Sequence, residues 1–239
     1  MNLGFIFLLI GAALIVFGLF VFWIEPLSIL PVLERLTPNI VYRVRTDLPL
    51  VGLSFDDGPH PTFTPQVLDI LQRYDAKATF FLIGERALRH PDLVASTHAG
   101  GHEIGNHYFK NGPTLFHPDV EFLRNLEQTE TCLAIAGKPP LFRPPAGVAT
   151  SRQIKLARER GYTCVLGCAY PHDPMHPPVS YIRWLVEKNL VPGAIIILHD
   201  GISDPTRSLQ ALPRILEAGR KKGQRFVSIS DLIRASSRR

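Results

Sequence analysis

Leu48-Pro49-Leu50-Val51-Gly52-Leu53-Ser54-Phe55-Asp56-Asp57-Gly58-Pro59-His60-Pro61 decides how the rest of the 239-residue chain is read. An apolar run that ends in two adjacent carboxylates and a Gly/Pro turn reads as a strand delivering negative charge at its mouth, where α/β proteins keep their chemistry. Two carboxylates that close cannot both ionise cheaply unless a metal or a fixed cation compensates them. The pair calls for partners elsewhere in the chain.

Downstream of that strand, apolar runs at 78–83, 103–106, 141–143, 164–169, 194–198 and 226–228 predict further strands. Helical spacing fits between them at 64–74, 119–136, 151–160, 180–189, 208–220 and 230–235. Thr64 reads as an N-cap ahead of Pro65, and Gly137 and Gly161 as left-handed caps closing two of the helices. Strand and helix alternating in this way predict an α/β fold with a parallel sheet, and about seven units predict a barrel.

The first segment differs in kind. Leu3 to Ile24 is 22 residues without a charge, long enough to span a hydrocarbon core of ~30 Å. It lacks the basic leader and small-residue exit of a cleaved signal peptide, so the expectation is a retained transmembrane helix over 1–25. Residues 26–49, with Pro31 and Pro38 and no clean period, read as a juxtamembrane linker holding a short helix near 27–36, and 50–235 as one folded domain. Arg35, Arg43 and Arg45 follow the span and, counted alone, favour a cytoplasmic domain, but large domains translocate regardless of such charges.

Composition excludes several classes. A net charge of +5 from 26 basic and 21 acidic residues is scattered apart from Arg220-Lys221-Lys222 and Arg238-Arg239, with no aromatic and basic stripe, so no nucleic-acid partner is expected. Three cysteines do not make a disulfide scaffold. Cys164 and Cys168 in one strand would lie roughly 13 Å apart, too far to bridge.

Polar residues recur at the later strand ends: Gly101-His102-Glu103-Ile104-Gly105-Asn106-His107-Tyr108-Phe109-Lys110-Asn111, Arg143-Pro144-Pro145-Ala146-Gly147, His172-Asp173-Pro174 and Leu198-His199-Asp200. A single histidine is usually a hydrogen-bonded structural residue. Asp, His, Arg and a second His, each closing a different apolar strand, describe an active-site rim.

These blocks, in this order over Leu50 to Leu232, resemble the polysaccharide deacetylases of the NodB-homology group, carbohydrate esterase family 4. The resemblance implies a distorted (β/α)7-type barrel and a metal-dependent N-deacetylase acting on N-acetylhexosamine units of a peptidoglycan- or chitin-like glycan. In Ser54-Phe55-Asp56-Asp57-Gly58 it makes Asp56 the general base and Asp57 a metal ligand. It makes His107 a second ligand and puts Asn111 where the family carries another histidine. An amide oxygen is a harder, poorer donor than imidazole, so zinc is the first expectation and cobalt, manganese or nickel are admitted. His117 stands as an alternative donor. Arg143 is implied to pair with Asp56, the backbone near Ala146 to cradle an oxyanion, and Asp173 to support His199 as general acid. Pro174 replaces the aromatic residue that lines the groove in relatives.

Two other readings stand beside it. One is a deacylase or deformylase of a lipid-linked sugar; the other is a non-catalytic glycan-binding relative, suggested by Asn111. With a cell-wall substrate and an N-terminal anchor, the chain is expected to be a single-pass membrane protein with its catalytic domain outside the cytoplasm.

Overall fold

The computed structural model describes residues 3–133 and 141–236. Its strands are β1 (Ile40–Val41), β2 (Leu50–Asp56), β3 (Thr79–Leu82), β4 (Glu103–Asn106), β5 (Leu141–Phe142), β6 (Thr163–Val165), β7 (Ile195–His199) and β8 (Arg225–Val227). They form one sheet in the order β1-β6-β5-β4-β3-β2-β7, and β8 pairs with the first half of β2. All pairings between these strands are parallel. The helices are α1 (Leu3–Ile24), α2 (Leu30–Leu36), α3 (Phe63–Arg73), α4 (Gly84–Arg89), α5 (Pro91–Ala99), α6 (Asp119–Cys132), α7 (Ser151–Glu159), α8 (Val179–Lys188), α9 (Thr206–Lys221) and α10 (Ile229–Ser236).

The result is an α/β half-barrel of parallel strands. β2 is central and buried from Val51 to Asp56, which is why it reads as a continuous apolar run rather than an alternating one. Phe55 stacks on Phe80 of β3 at 5.1 Å, and the main core continues through Leu53, Leu82, Ile196 and Leu198. β6 stops at Val165, short of the expected 164–169, and the chain then passes hard against β7 at Gly167 before bending at Cys168. A Cβ at Gly167 would lie 2.7 Å from Ile197 Cγ1 and 2.9 Å from the Ile195 carbonyl. An isolated parallel bridge, Ala169 to Ile196, then ties this segment to β7.

Thr64 does not cap α3. Its hydroxyl accepts from the His60 amide and donates to buried Asp200, joining two loops. Gly161, with φ 90°, closes α7 in the left-handed conformation expected of it. Gly137, the end of the helix drawn to 136 and Arg238-Arg239 lie outside the described residues. Cys132, Cys164 and Cys168 are free thiols.

Among the described residues no helix is long and apolar enough to cross a membrane. This overturns the expected transmembrane anchor over 1–25, the membrane partner, and the single-pass protein with its catalytic domain outside the cytoplasm. An apolar run shows only that a segment can leave water, not where it goes. Here the last turn of α1 is tied to the domain, with the Phe22 carbonyl 2.8 Å from His172 Nε2 and the Trp23 carbonyl 2.6 Å from the Tyr181 hydroxyl. The stretch 26–49 does carry the short helix expected near 27–36, as a 3-10 turn at Leu27–Ile29 followed by α2. It also adds β1 to the sheet and Leu30, Tyr42 and Val44 to the buried core, which the reading as a linker did not anticipate.

Candidate active site

Parallel register places the chemistry. β2 and β7 pair so that Asp56 is directly beside His199. β4 and β5 pair at Asn106 and Phe142, so His107 and Arg143 emerge together one residue later. Four side chains from four strand ends thus reach one rim of the sheet, and the turn at Asp173 joins them from the loop after β6.

Asp56 is held from below. Arg143 Nη1 lies 2.5 Å from Asp56 Oδ1 and 2.8 Å from Ser54 Oγ, and its other nitrogens donate to the carbonyls of Val165 at 3.3 Å and Leu166 at 3.0 Å. The guanidinium also stands 4.0 Å over the Phe81 ring. Arg143 is only 1% exposed, so its charge survives burial because a carboxylate and several oxygens surround it. This arrangement keeps one oxygen of Asp56 occupied and orients the carboxylate.

Asp57, at φ 68°, turns away from its neighbour, and its carbonyl accepts from Arg86 at 2.6 Å. Its Oδ1 lies 3.4 Å from His107 Nε2. His107 Nδ1 is 2.8 Å from the Arg143 carbonyl, to which it donates, so Nε2 is the ring atom facing Asp57, where a metal would take the place of a proton. Burial pushes the Asp57 carboxyl up, but the His107 hydrogen bond and the charges of His107, His199 and Arg86 outweigh it, so it stays below the ordinary carboxylate range. Two donors ~2.1 Å from one tetrahedral ion stand roughly 3.4 Å apart, so Asp57 and His107 fit a shared divalent metal. Asn111, exposed, lines the same cleft. Among the described residues no three His, Cys, Asp or Glu side chains gather to hold a metal.

His199 is buried beside Asp173. Asp173 Oδ1 lies 2.9 Å from the ring Nδ1, while its Oδ2 accepts from the His199 amide at 2.9 Å and from Ser208 Oγ at 2.6 Å. Burial works against the imidazolium, but the charge and hydrogen bond of Asp173, helped by Asp56 and Asp57, raise His199 to about 9. At neutral pH the ring carries a proton and can act as an acid.

The cleft enclosed by these groups has a volume of 510 Å³ and brings together Asp56, Asp57, His107, Asn111, Arg143 and His199. Asp173 stands behind His199 rather than in the wall. Ala146, at φ 56° in a 3-10 turn, and Pro174 both line it. His117 turns elsewhere, its Nδ1 2.9 Å from the Tyr108 hydroxyl. His102 is structural: Ala78 N donates to its Nδ1 at 3.3 Å, and burial lowers it to about 4. Sequence reasoning missed Glu25, Tyr42 and Tyr170, which also line the cleft. Tyr170 carried a signal, standing three residues before Asp173 at the end of an apolar run; Glu25 and Tyr42 carried none. It missed as well that Asp200 is fully buried, with Oδ1 unpartnered and its carboxyl raised by burial to about 7.

Residues 43–165 match the polysaccharide deacetylase family model. A peptidoglycan-N-acetylglucosamine deacetylase of Bacillus cereus is 41% identical over 202 residues, covering 83% of this chain and 94% of its own. A chitooligosaccharide deacetylase of Sinorhizobium fredii is 36% identical over 170 residues, 67% of this chain and 76% of its own. Among solved structures, a peptidoglycan N-acetylglucosamine deacetylase in complex with 4-naphthalen-1-yl-N-oxidanyl-benzamide matches with a TM-score of 0.80 at 30% identity, covering 84% of this chain and 96% of its own. A family pseudoenzyme from Bacillus anthracis matches at 0.76 and 25% identity, covering 84% and 71%. An acetyl xylan esterase of Clostridium thermocellum, in complex with cobalt, matches at 0.72 and 28% identity, covering 78% and 91%.

Proposed function

The chain belongs to the polysaccharide deacetylase family, hydrolases of the acetamide carbon–nitrogen bond, and from that membership we propose that it is a metal-dependent N-deacetylase of N-acetylhexosamine units in a peptidoglycan- or chitin-like glycan. The observation that carries the reading is the pairing of opposite functions in one cleft: Asp56 fixed by Arg143 at 2.5 Å, and His199 fixed by Asp173 at 2.9 Å. A degenerate binder has no need of both. The half-barrel is then a distorted (β/α)7-type barrel, with the catalytic residues carried by 50–235 and β1 hydrogen-bonded to β6 at the edge of the sheet.

Asp57, His107 and Asn111 are the residues that would hold a divalent metal, zinc or a harder ion, whose chemistry there is Lewis-acid activation of a carbonyl and of water. Asp56 accepts a proton from the attacking water, its second oxygen being the one Arg143 leaves available. The Ala146 backbone N–H, on the cleft wall, supports the negative charge that develops on the acetamide oxygen. His199 donates its proton to the departing sugar nitrogen, and Asp173 stabilises the protonated ring until it does.

The direct test is acetate release by the full chain, supplied with zinc, cobalt, manganese or nickel, from N-acetylglucosamine oligomers and peptidoglycan. Release that depends on added metal is the expected result. No acetate from any N-acetylated glycan with any of the four metals sinks the reading.

A further inference from the structure

A helix C-terminus leaves its last carbonyls unsatisfied and gathers partial negative charge there. At the end of α1, four successive carbonyls each meet a side chain of the domain. Phe22 accepts from His172 Nε2 at 2.8 Å, Trp23 from the Tyr181 hydroxyl at 2.6 Å, Ile24 from Lys188 Nζ and Glu25 from Asn189 Nδ2 at 3.4 Å. This clamp holds Glu25 at φ 45°, a left-handed conformation that a non-glycine residue keeps only where the surroundings impose it.

The turn brings the Glu25 side chain into the wall of the catalytic cleft, 20% accessible. Oε2 accepts from the Tyr170 amide at 2.7 Å. Oε1 lies 3.7 Å from His172 Nε2, beyond hydrogen-bond reach of a nitrogen already given to Phe22. The Lys188 ammonium donates to the Ile24 carbonyl and acts on Glu25 through its charge, with no hydrogen bond to it. Oε1 therefore keeps acceptor capacity.

Asp56 has Arg143, and Asp57 has His107 together with the metal it fits, whereas Glu25 has no cation at hydrogen-bond distance, and burial pushes its carboxyl up to about 7 against the Tyr170 amide and the charge of Lys188. A cation entering the cleft is the ligand class that favours its ionised form. Deacetylation makes one, since the neutral acetamide nitrogen becomes an amine. Tyr170, whose amide Glu25 holds, has its ring 5.8 Å from that of His199, so this one residue joins the Glu25 wall of the cleft to the acid.

We infer that Glu25 is a specificity-determining residue that binds the ammonium group of a deacetylated hexosamine unit, on the product or on a neighbouring unit of a partly deacetylated chain. The end of α1 is then part of the active site, and it lets the enzyme tell a free amine from an acetamide. The inference rests on the N-deacetylase reading for its ligand.

The test is equilibrium binding by calorimetry, with the full-length chain, of a glucosamine trisaccharide and of its fully N-acetylated counterpart. Glu25→Gln keeps an acceptor for the Tyr170 amide and removes the charge. It should weaken the glucosamine trisaccharide by roughly tenfold or more while leaving the N-acetylated one within about twofold. Glu25→Asp, which retains the charge, should preserve the preference for the amine. Equal weakening of both ligands by Glu25→Gln would point to a hydroxyl contact and overturn the inference, as would no change for either. Binding needs no turnover, so a failure to release acetate would count against the deacetylase reading alone.

Discussion

His199 and His107 share one cleft, and each imidazole is fixed through its Nδ1, but to different partners. His199 Nδ1 meets the Asp173 carboxylate at 2.9 Å, whereas His107 Nδ1 meets the Arg143 carbonyl at 2.8 Å. A carboxylate adds a full negative charge and drives the ring toward imidazolium, here to about 9. A carbonyl fixes the tautomer and orientation without that charge, which leaves Nε2 facing Asp57, where a metal would take the place of a proton. The atom behind the ring, rather than the ring, separates a proton donor from a metal ligand.

The largest effects come from removing the proton-transfer groups. His199→Ala should lower the rate of acetate release by about 10²–10⁴-fold, the usual worth of a positioned acid. Asp56→Asn should fall as far, but it also strands buried Arg143, so it carries a stability loss of about 3–5 kcal/mol that thermal melting will show. His199→Ala releasing acetate within threefold of the parent would break the comparison, because the protonated ring would then have no catalytic task.

Asp173→Asn turns the partner of His199 into the kind His107 has, a neutral acceptor. His199 acts while protonated, so activity is lost as pH rises through its pKa. The variant should move that alkaline limb from about 9 toward the ordinary 6.5 and lower the rate at pH 8 by roughly tenfold. A metal at Asp57 offsets that residue's share of the rise, which places the parent limb at or somewhat below 9. An unmoved limb would show that Asp173 only positions the ring.

Much of this site was legible because each strand in an α/β sheet ends where a functional residue can stand. Asp56, Asp57, Arg143 and His199 each followed a readable apolar run. The register that sets Asp56 beside His199 depends on residues 143 positions apart and leaves no local trace. β1 was missed because two residues between Pro38 and Pro49 show no period and gain order only by pairing with β6. The helices α4 and α5 were missed because α4 is a six-residue piece that joins α5 at His90. Glu25 looked like the border of an apolar run; its place in the cleft follows from the clamp on α1, which only tertiary contacts supply.

Asn111→His tests the other side of the comparison. If Asn111 is the weak third donor beside Asp57 and His107, an imidazole there should raise zinc affinity by roughly tenfold or more, measured by competition with a chelator. His107→Ala should lower it by at least as much. Unchanged affinity in Asn111→His would remove Asn111 from the ligand set and leave the cleft with two protein donors.

The smallest effect is on stability, and its sign differs between the two pairs. His199 is raised in the folded protein, so the contribution of its pair is fully present below 6.5 and lost as pH rises through about 9. Asp57 is lowered, so its contribution is present above 3.8 and lost as pH falls further. Glu25 and Asp200, both raised to about 7 by burial, act between their ordinary values and 7, and the thiols of Cys132, Cys164 and Cys168, raised by burial, act only above about 8.5, which leaves the window between to His199. In metal-free protein the melting temperature should fall across that window by several degrees, reflecting a loss of at most about 3 kcal/mol. Asp173→Asn should flatten the alkaline fall and leave the acid side intact, while His107→Ala should do the reverse. If either variant flattened both limbs, the two imidazoles would be one coupled system, and their Nδ1 partners would not assign them separate roles.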